Sequence, residues 1–99
     1  MKDVWIGKFG IWGQRHYQYL KENNPTVINV MRMNGSLKQY LRKVDEQAET
    51  MLFQLVNQMA SDEGVTEKLK RRDQLGWVQR MNNIRERAEE IVLREIIFI

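Results

Sequence analysis

The chain has 99 residues, 29% of them charged, with one proline and no cysteine, which is typical of one folded domain. The absence of cysteine excludes disulfides and thiolate metal sites and fits a reducing cytoplasm. No apolar run reaches the roughly 18 residues of a membrane span, and the first residues lack the apolar core of a signal peptide. We therefore expect a cytoplasmic protein that does not enter a membrane.

The net charge of +3 is unevenly distributed along the chain. Residues 1–43 carry eight Lys or Arg against two acids, a net charge of +6, whereas residues 44–99 carry eight against eleven, a net charge of −3. A basic half favours a polyanionic partner such as nucleic acid. The alternative is that the two halves attract each other within the fold, and both interpretations stay open.

The chain begins with a glycine-containing aromatic stretch, residues 1–10, for which we predict an extended arm or short strand packed on helices. The anchors of this arm are Trp5, Ile6 and Phe9. A first helix is predicted from Ile11 to about Asn23. One face of this helix carries Trp12, His16, Tyr19 and Leu20.

The next segment, residues 26–33, contains the run TVINV, whose β-branched residues are also compatible with a β-strand. Asn24 can cap a helix, and Pro25 suits the first helical position. The pair Asn34-Gly35 then marks a turn. We therefore favour a short helix for this segment.

Two long helices are predicted for the rest of the chain. Ser36 is expected to cap the first, which should end at Gly64. The apolar stripe of this helix consists of Leu37, Leu41, Val44, Ala48, Met51, Leu55 and Met59. A single helix of roughly thirty residues is then predicted from Thr66, with a stripe at Trp77, Met81, Ile84, Ala88 and Ile91. Gly76 inside it costs about 1 kcal/mol relative to alanine, and either allows close packing beside Trp77 or marks a bend.

The predicted fold class is therefore all-α, in one domain. It consists of an arm (residues 1–10), two short helices (residues 11–35) and a long antiparallel helical hairpin (residues 36–99). The apolar end of the chain, residues 96–99, should either fold back on the bundle or pair with a second subunit as a homodimer. We favour packing within the chain.

The sequence offers no catalytic or metal-binding constellation. His16 is the single histidine, and no acid lies three or four residues from it, so we interpret it as a packed structural residue. The acids lack the Glu-x-x-His motif of metal-binding bundles. We expect Glu86 and Glu90 to form surface pairs with Arg87 and Arg94. We predict no enzymatic activity, no metal and no cofactor.

Residues 26–43 have the outline of a helix-turn-helix motif, with a short helix, a glycine turn and a second helix. The first two turns of that second helix should expose residues that suit phosphates or base edges. This second helix is more than twice the usual length of a recognition helix. The alternative interpretation is therefore an ordinary corner between two helices with a glycine turn. A second basic run, residues 68–72, is diluted by neighbouring acids. The candidate nucleic-acid-binding residues are Arg15, Lys21, Arg32, Lys38, Gln39, Arg42, Lys43, Lys68, Arg71 and Arg72.

Several strings of the chain resemble the transposon-encoded protein TnpV family of mobile elements in Firmicutes. These strings are IWGQRHYQYLKENNP, NGSLKQYL, GVTEKL and WVQRMNNIR, and residues 77–92 are the most specific part. The resemblance covers roughly residues 10–99, whereas the opening MKDVWIGKFG is shorter than the arm usual in the family. The resemblance implies an accessory protein that is encoded among recombination and transfer genes, and it indicates no catalytic residue.

We therefore predict a non-enzymatic DNA-binding accessory protein of a mobile genetic element. Neutralising about four to six phosphates would give a slope of log affinity against log salt of about −4 to −5. The alternative is a modulator that binds the recombinase of the element or a host defence nuclease of the restriction or CRISPR type, with acids mimicking DNA. The acids of that alternative surface are Asp45, Glu46, Glu49, Glu86, Glu89 and Glu90.

Overall fold

The computed structural model describes residues 10–99, so the predicted arm lies, apart from Gly10, outside the described residues. The described residues form five α-helices followed by a π-helical turn, and they contain no strand, which confirms the all-α prediction. The helices are α1 (Ile11–Asn23), α2 (Pro25–Met33), α3 (Leu37–Asp62), α4 (Glu67–Arg72) and α5 (Gln74–Val92), and the π turn is Leu93–Ile97. No helix among residues 10–99 combines the length and the apolar character needed to cross a membrane.

The bounds of α1 and α2 follow from local sequence signals. Pro25 occupies the first position of α2, where its missing N–H costs no hydrogen bond. The strand alternative for this segment is therefore wrong. Gly35 then adopts a φ of +78°, a left-handed conformation that glycine enters without a steric penalty, and it closes the turn between α2 and α3.

The helix α3 has 26 residues and is about 39 Å long at 1.5 Å per residue. The predicted stripe is confirmed along its first half, and its later members are partly buried. Gly64, with a φ of +70°, follows the helix end as predicted. Ser36 occupies the N-cap position of α3, as predicted, but its hydroxyl donates to Asn34 Oδ1 at 2.6 Å and makes no cap bond to the helix.

The predicted single helix after Thr66 is also wrong, because the helix is interrupted at Asp73, between α4 and α5. Asp73 has a non-helical backbone, with φ −148° and ψ 85°, and its Oδ1 accepts a hydrogen bond from the Gly76 N–H at 3.0 Å. This bond is a helix N-cap, so Asp73 begins α5. A Cβ at Gly76 would lie 2.3 Å from Asp73 Oδ2, which explains why glycine occupies this position.

The core consists of three clusters along an elongated molecule of 55 × 23 × 18 Å. A central cluster joins α1, α3, α5 and the π turn through Trp12, Val44, Ala48, Leu52, Ala88, Val92 and Ile97. At one end, α1 and α2 pack on the first turns of α3 through Tyr17, Leu20, Ile28, Leu37 and Leu41. At the other end, Val65, Leu69 and Ile84 hold α4 against α5 and the last turns of α3. The start of α3 thus lies near the end of α5.

Candidate nucleic-acid interface

The glycine turn after α2 exposes the first two turns of α3. Leu37 and Leu41 are buried against α1 and α2, so the intervening side chains lie on the solvent side. Lys38 and Arg42 are four residues apart on one stripe, and Gln39 and Lys43 form the adjacent stripe. All four are exposed, as predicted. This set of side chains, Lys38, Gln39, Arg42 and Lys43, is called the α3 basic surface below.

The remaining cations of the first half are placed differently. Arg15 and Lys21 are exposed on α1 but six residues apart, which puts them on opposite edges of its solvent face at 100° per residue. The Arg15 guanidinium also lies 5.3 Å from the Trp12 ring centroid. Arg32 donates a hydrogen bond to the Tyr17 hydroxyl and lies 5.9 Å from the centroid of that ring. These three side chains therefore do not continue the α3 basic surface as one stripe.

The basic run of α4 lies at the other end of the molecule. Lys68, Arg71 and Arg72 are exposed, while the Lys70 ammonium lies 4.7 Å from the Trp77 ring centroid. Leu69 of α4 packs against the last turns of α3, whereas Lys38 lies in the first turn of that helix. The α3 basic surface and the basic run of α4 therefore lie near opposite ends of α3.

Among the predicted acidic residues, Asp45 has a structural role that the sequence did not indicate. Its Oδ1 accepts a hydrogen bond from the Gly13 N–H at 3.0 Å, so a side chain of α3 caps the start of α1. A Cβ at Gly10 would lie 2.6 Å from the same oxygen, and glycine therefore fits here. Gly10 has no side chain with which to cap α1 itself, and Asp45 supplies the missing acceptor.

The ion pairs among residues 10–99 differ from those predicted. Arg87 Nη2 donates to Glu63 Oε1 at 2.8 Å and Arg87 Nε to Asn83 Oδ1 at 2.9 Å. Arg94 contacts Glu95 at 3.9 Å, so the predicted pairing of Arg87 and Arg94 with Glu86 and Glu90 is wrong. The hydrogen bond from Arg87 lowers the pKa of Glu63 below its ordinary value and raises the pKa of Arg87. Both side chains are exposed, so water and salt screen the pair.

The predicted acidic residues lie on two helices, α3 and α5. Glu46 and Glu49 are exposed on α3. Glu86 and Glu90 lie on the side of α5 opposite its buried stripe, while Glu89 Oε1 accepts from Arg85 Nε at 3.3 Å. Glu89 and Glu90 follow Glu86 at spacings of three and four residues, so the three are neighbours on one side of α5. Asp45 is bound to α1, which leaves Glu46 and Glu49 as the exposed acids of this set on α3.

His16 is a buried structural residue, as predicted, with 1% of its surface exposed. Its Nδ1 lies 2.9 Å from the Ile97 carbonyl oxygen and its Nε2 lies 2.7 Å from the Tyr40 hydroxyl. A carbonyl only accepts, so Nδ1 carries the proton and, in the neutral ring, the Tyr40 hydroxyl donates to Nε2. Burial raises the pKa of Tyr40. The sequence did not reveal these partners, because they lie 81 and 24 residues away.

The π turn presents the Ile97 carbonyl to His16. The Phe98 N–H donates to the Leu93 carbonyl oxygen at 2.7 Å. This hydrogen bond spans five residues, as in a π-helix, and makes the last turn wider than an α-helical turn. Ile97 is fully buried, which agrees with the favoured packing within the chain. Phe98 lies 5.4 Å from the Tyr19 ring and is half exposed, and Ile99 is 71% exposed.

The described residues 10–99 contain no group of three or more His, Cys, Asp or Glu side chains that could hold a metal ion. No curated protein sequence and no solved structure matches the chain. A family model described as transposon-encoded protein TnpV matches residues 3–97, which is nearly the whole length. The chain therefore belongs to the TnpV family of transposon-encoded proteins.

Proposed function

We propose that this protein is a non-enzymatic, cytoplasmic DNA-binding accessory factor that acts in recombination or transfer of its mobile element. The observation that carries the proposal is the α3 basic surface, in which four exposed side chains follow a tight glycine turn. The ion pairs among residues 10–99 involve Arg85, Arg87 and Arg94, so the cations of this surface are available to phosphates.

The chemistry of the α3 basic surface fits a duplex. Lysine neutralises backbone phosphates, while glutamine and arginine can also form paired hydrogen bonds to base edges in the major groove. The N-terminus of α3 adds the positive end of the helix dipole. The length of α3 is compatible with this role, because only its first two turns would approach DNA while the later turns pack on α5.

The test is a fluorescence anisotropy titration with duplex DNA from the ends of the element, repeated at several salt concentrations. Because the α3 basic surface contains three cations, the wild-type slope of log affinity against log salt should be about −3, shallower than the slope expected from all the cations of the first half. The double substitution Lys38→Ala with Arg42→Ala removes two phosphate contacts and should reduce the magnitude of the slope by about 2.

The matched control is Arg71→Ala with Arg72→Ala, which removes the same charge from the far end of the molecule. We expect this control to keep the wild-type slope. Wild-type protein that shows no salt-dependent binding at about 50 mM salt would refute the proposal. A slope that changes only in the control would move the site to α4.

The protein-binding alternative is supported by exposed acids on both α3 and α5. Glu46 and Glu49 are the exposed acids on α3 that would meet a basic recombinase or nuclease. Under that alternative, Glu46→Lys with Glu49→Lys should abolish the complex with a partner captured from host cells and leave or strengthen DNA binding. A partner complex that survives these substitutions would exclude DNA mimicry by this face.

A further inference from the structure

The outer face of α1 and the end of the chain form an open pocket of about 400 Å³. This volume lies within the roughly 300–1,000 Å³ that is usual for small-molecule sites. The pocket is lined by four side chains of α1, one of the π turn and one just after it: Arg15, Gln18, Tyr19, Glu22, Leu93 and Phe98. The four on α1 follow the spacing of one helix face. None of the six residues belongs to the α3 basic surface.

Two aromatic rings, Tyr19 and Phe98, line this pocket side by side. Their centroids are 5.4 Å apart, and their planes are tilted by 47°. The Tyr19 ring is backed by His16, which stacks on it at a centroid distance of 6.4 Å and is itself buried. Phe98 remains half exposed. The pocket therefore combines an aromatic wall that is held from behind with a ring that a ligand can still cover.

The charged side chains give the pocket a positive end and a negative end. Arg15 and Glu22 are seven residues apart on α1, which is about 10 Å along the helix, and Tyr19 lies between them. Gln18 Nε2 donates to Glu22 Oε1 at 2.8 Å. Arg15 takes no part in the ion pairs of the described residues, and its guanidinium lies over the Trp12 ring. Arg15 can therefore still pair with an anion.

We propose that this pocket binds an unpaired nucleotide of a single DNA strand. Aromatic rings beside a cation are the combination with which proteins bind single strands, because every base has a π face and every nucleotide carries a phosphate. The base stacks on Phe98 and Tyr19, and its phosphate pairs with Arg15. Glu22 repels the phosphate, so the nucleotide enters with its charge toward Arg15. This site is additional to the duplex contact proposed for α3, and either can fail without the other.

The test is a fluorescence anisotropy titration of the whole chain with a labelled thymidine strand of about 12 nucleotides, which cannot pair with itself. Phe98→Leu keeps an apolar side chain but removes the π face, and it should weaken binding at least about fivefold. Phe98→Tyr keeps a ring and should bind within about twofold of wild type. The matched control is Phe53→Leu, the same change at a ring that is 70% exposed on α3, which should keep the wild-type affinity.

Two further measurements separate this site from a change in folding and from the α3 basic surface. Circular dichroism should show the same helix content in wild type and in all three variants. Phe98→Leu should also leave the titration with blunt duplex DNA unchanged. Wild type that does not bind the strand, Phe98→Leu with wild-type affinity for it, or an equal loss in Phe53→Leu would overturn the proposal.

The salt dependence of strand binding tests Arg15 by itself. Arg15→Gln removes one phosphate contact and should reduce the magnitude of the slope of log affinity against log salt by about 0.7, the value for a single strand. Lys21→Gln is the matched control, because it removes the same charge from the opposite edge of the solvent face of α1, and it should keep the slope. Equal slopes for the two variants would exclude the contact between Arg15 and phosphate.

Free thymidine monophosphate is the second probe, because a nucleotide outside a strand has the same chemistry. The labelled strand should resist displacement by an equal concentration of the monophosphate, since the strand offers further phosphates to the protein. Displacement at equal concentration would instead identify a free nucleotide as the ligand of the same pocket.

Discussion

At the scale of single residues, Asp45 shows how one carboxylate on α3 stabilises the start of α1. Gly10 and the first turn of α1 provide no side-chain acceptor for the free helical N–H groups. The Asp45 carboxylate supplies one from a helix that lies 32 residues further along the chain. The bond therefore joins helix capping to tertiary packing, because α1 keeps its cap only while it is docked on α3.

We predict that Asp45→Ala destabilises the folded protein by about 1 kcal/mol, the usual cost of losing an N-cap. The free energy of unfolding should be measured by urea denaturation. The matched control is Glu46→Ala at the next, exposed position, which should change stability by no more than about 0.5 kcal/mol. Equal effects of the two substitutions would contradict the capping role.

His16 is the second residue whose importance depends on distant partners. Its two ring nitrogens satisfy the Ile97 carbonyl and the Tyr40 hydroxyl in a site closed to water. We predict that His16→Phe, which keeps the ring but removes both hydrogen bonds, costs about 2–3 kcal/mol because two polar groups lose their partner. Gln39→Ala on the exposed side of α3 is the control and should be near neutral. Stability unchanged in His16→Phe would show that these bonds contribute little.

At the scale of the elements, the break between α4 and α5 is the feature that apolar periodicity missed. A stripe with steps of three and four residues is compatible with one continuous helix and with two helices that keep the same face buried. The local signal was Asp73, a preferred N-cap residue followed at a spacing of three by Gly76. The sequence shows Gly76 as an unusual residue inside a helix, but it does not show that Asp73 is its partner.

The capping geometry predicts that Gly76→Ala lowers the stability of the folded protein, whereas replacing a glycine in a helix interior by alanine usually raises it. In a helix interior this change should stabilise by about 1 kcal/mol. Here the new Cβ would displace the Asp73 carboxylate, which lies 2.3 Å from its position, and we expect a loss of about 1 kcal/mol.

The control for this prediction is the same substitution in an Asp73→Ala background, where no carboxylate opposes the Cβ. There Gly76→Ala should stabilise the protein, as measured by thermal and urea denaturation. If Gly76→Ala stabilised the protein in both backgrounds, the cap would not be the reason for the glycine.

At the scale of the whole molecule, the end of the chain connects the last helix to the first. Ile97 is fully buried with Trp12 and Val44, whereas Ile99 is 71% exposed. We predict that Ile97→Ala costs about 2–5 kcal/mol, because it opens a cavity where three helices meet. Ile99→Ala, two residues away, should cost no more than about 0.5 kcal/mol. Similar unfolding free energies for the two variants would contradict the assigned packing of the tail.

The candidate interface was only partly predictable at this scale. Exposure of the α3 basic surface followed from the periodicity of Leu37 and Leu41, because residues between two buried positions on a helix face water. The separation of these cations from those on α4 was not visible in the sequence, where both groups simply count as positive charge. Only the direction and length of α3 placed them at opposite ends.

Local sequence signals predict the all-α class, the bounds of α1 and α2, and the buried stripe along the first half of α3. These depend on steps of three and four residues and on Pro25 and Gly35, which act within one or two turns of chain. Tertiary structure alone decided the Asp45 cap, the hydrogen bonds of His16 and the pairing of Arg87 with Glu63. Each joins residues at least 24 positions apart, and no local pattern records which polar groups meet when helices pack.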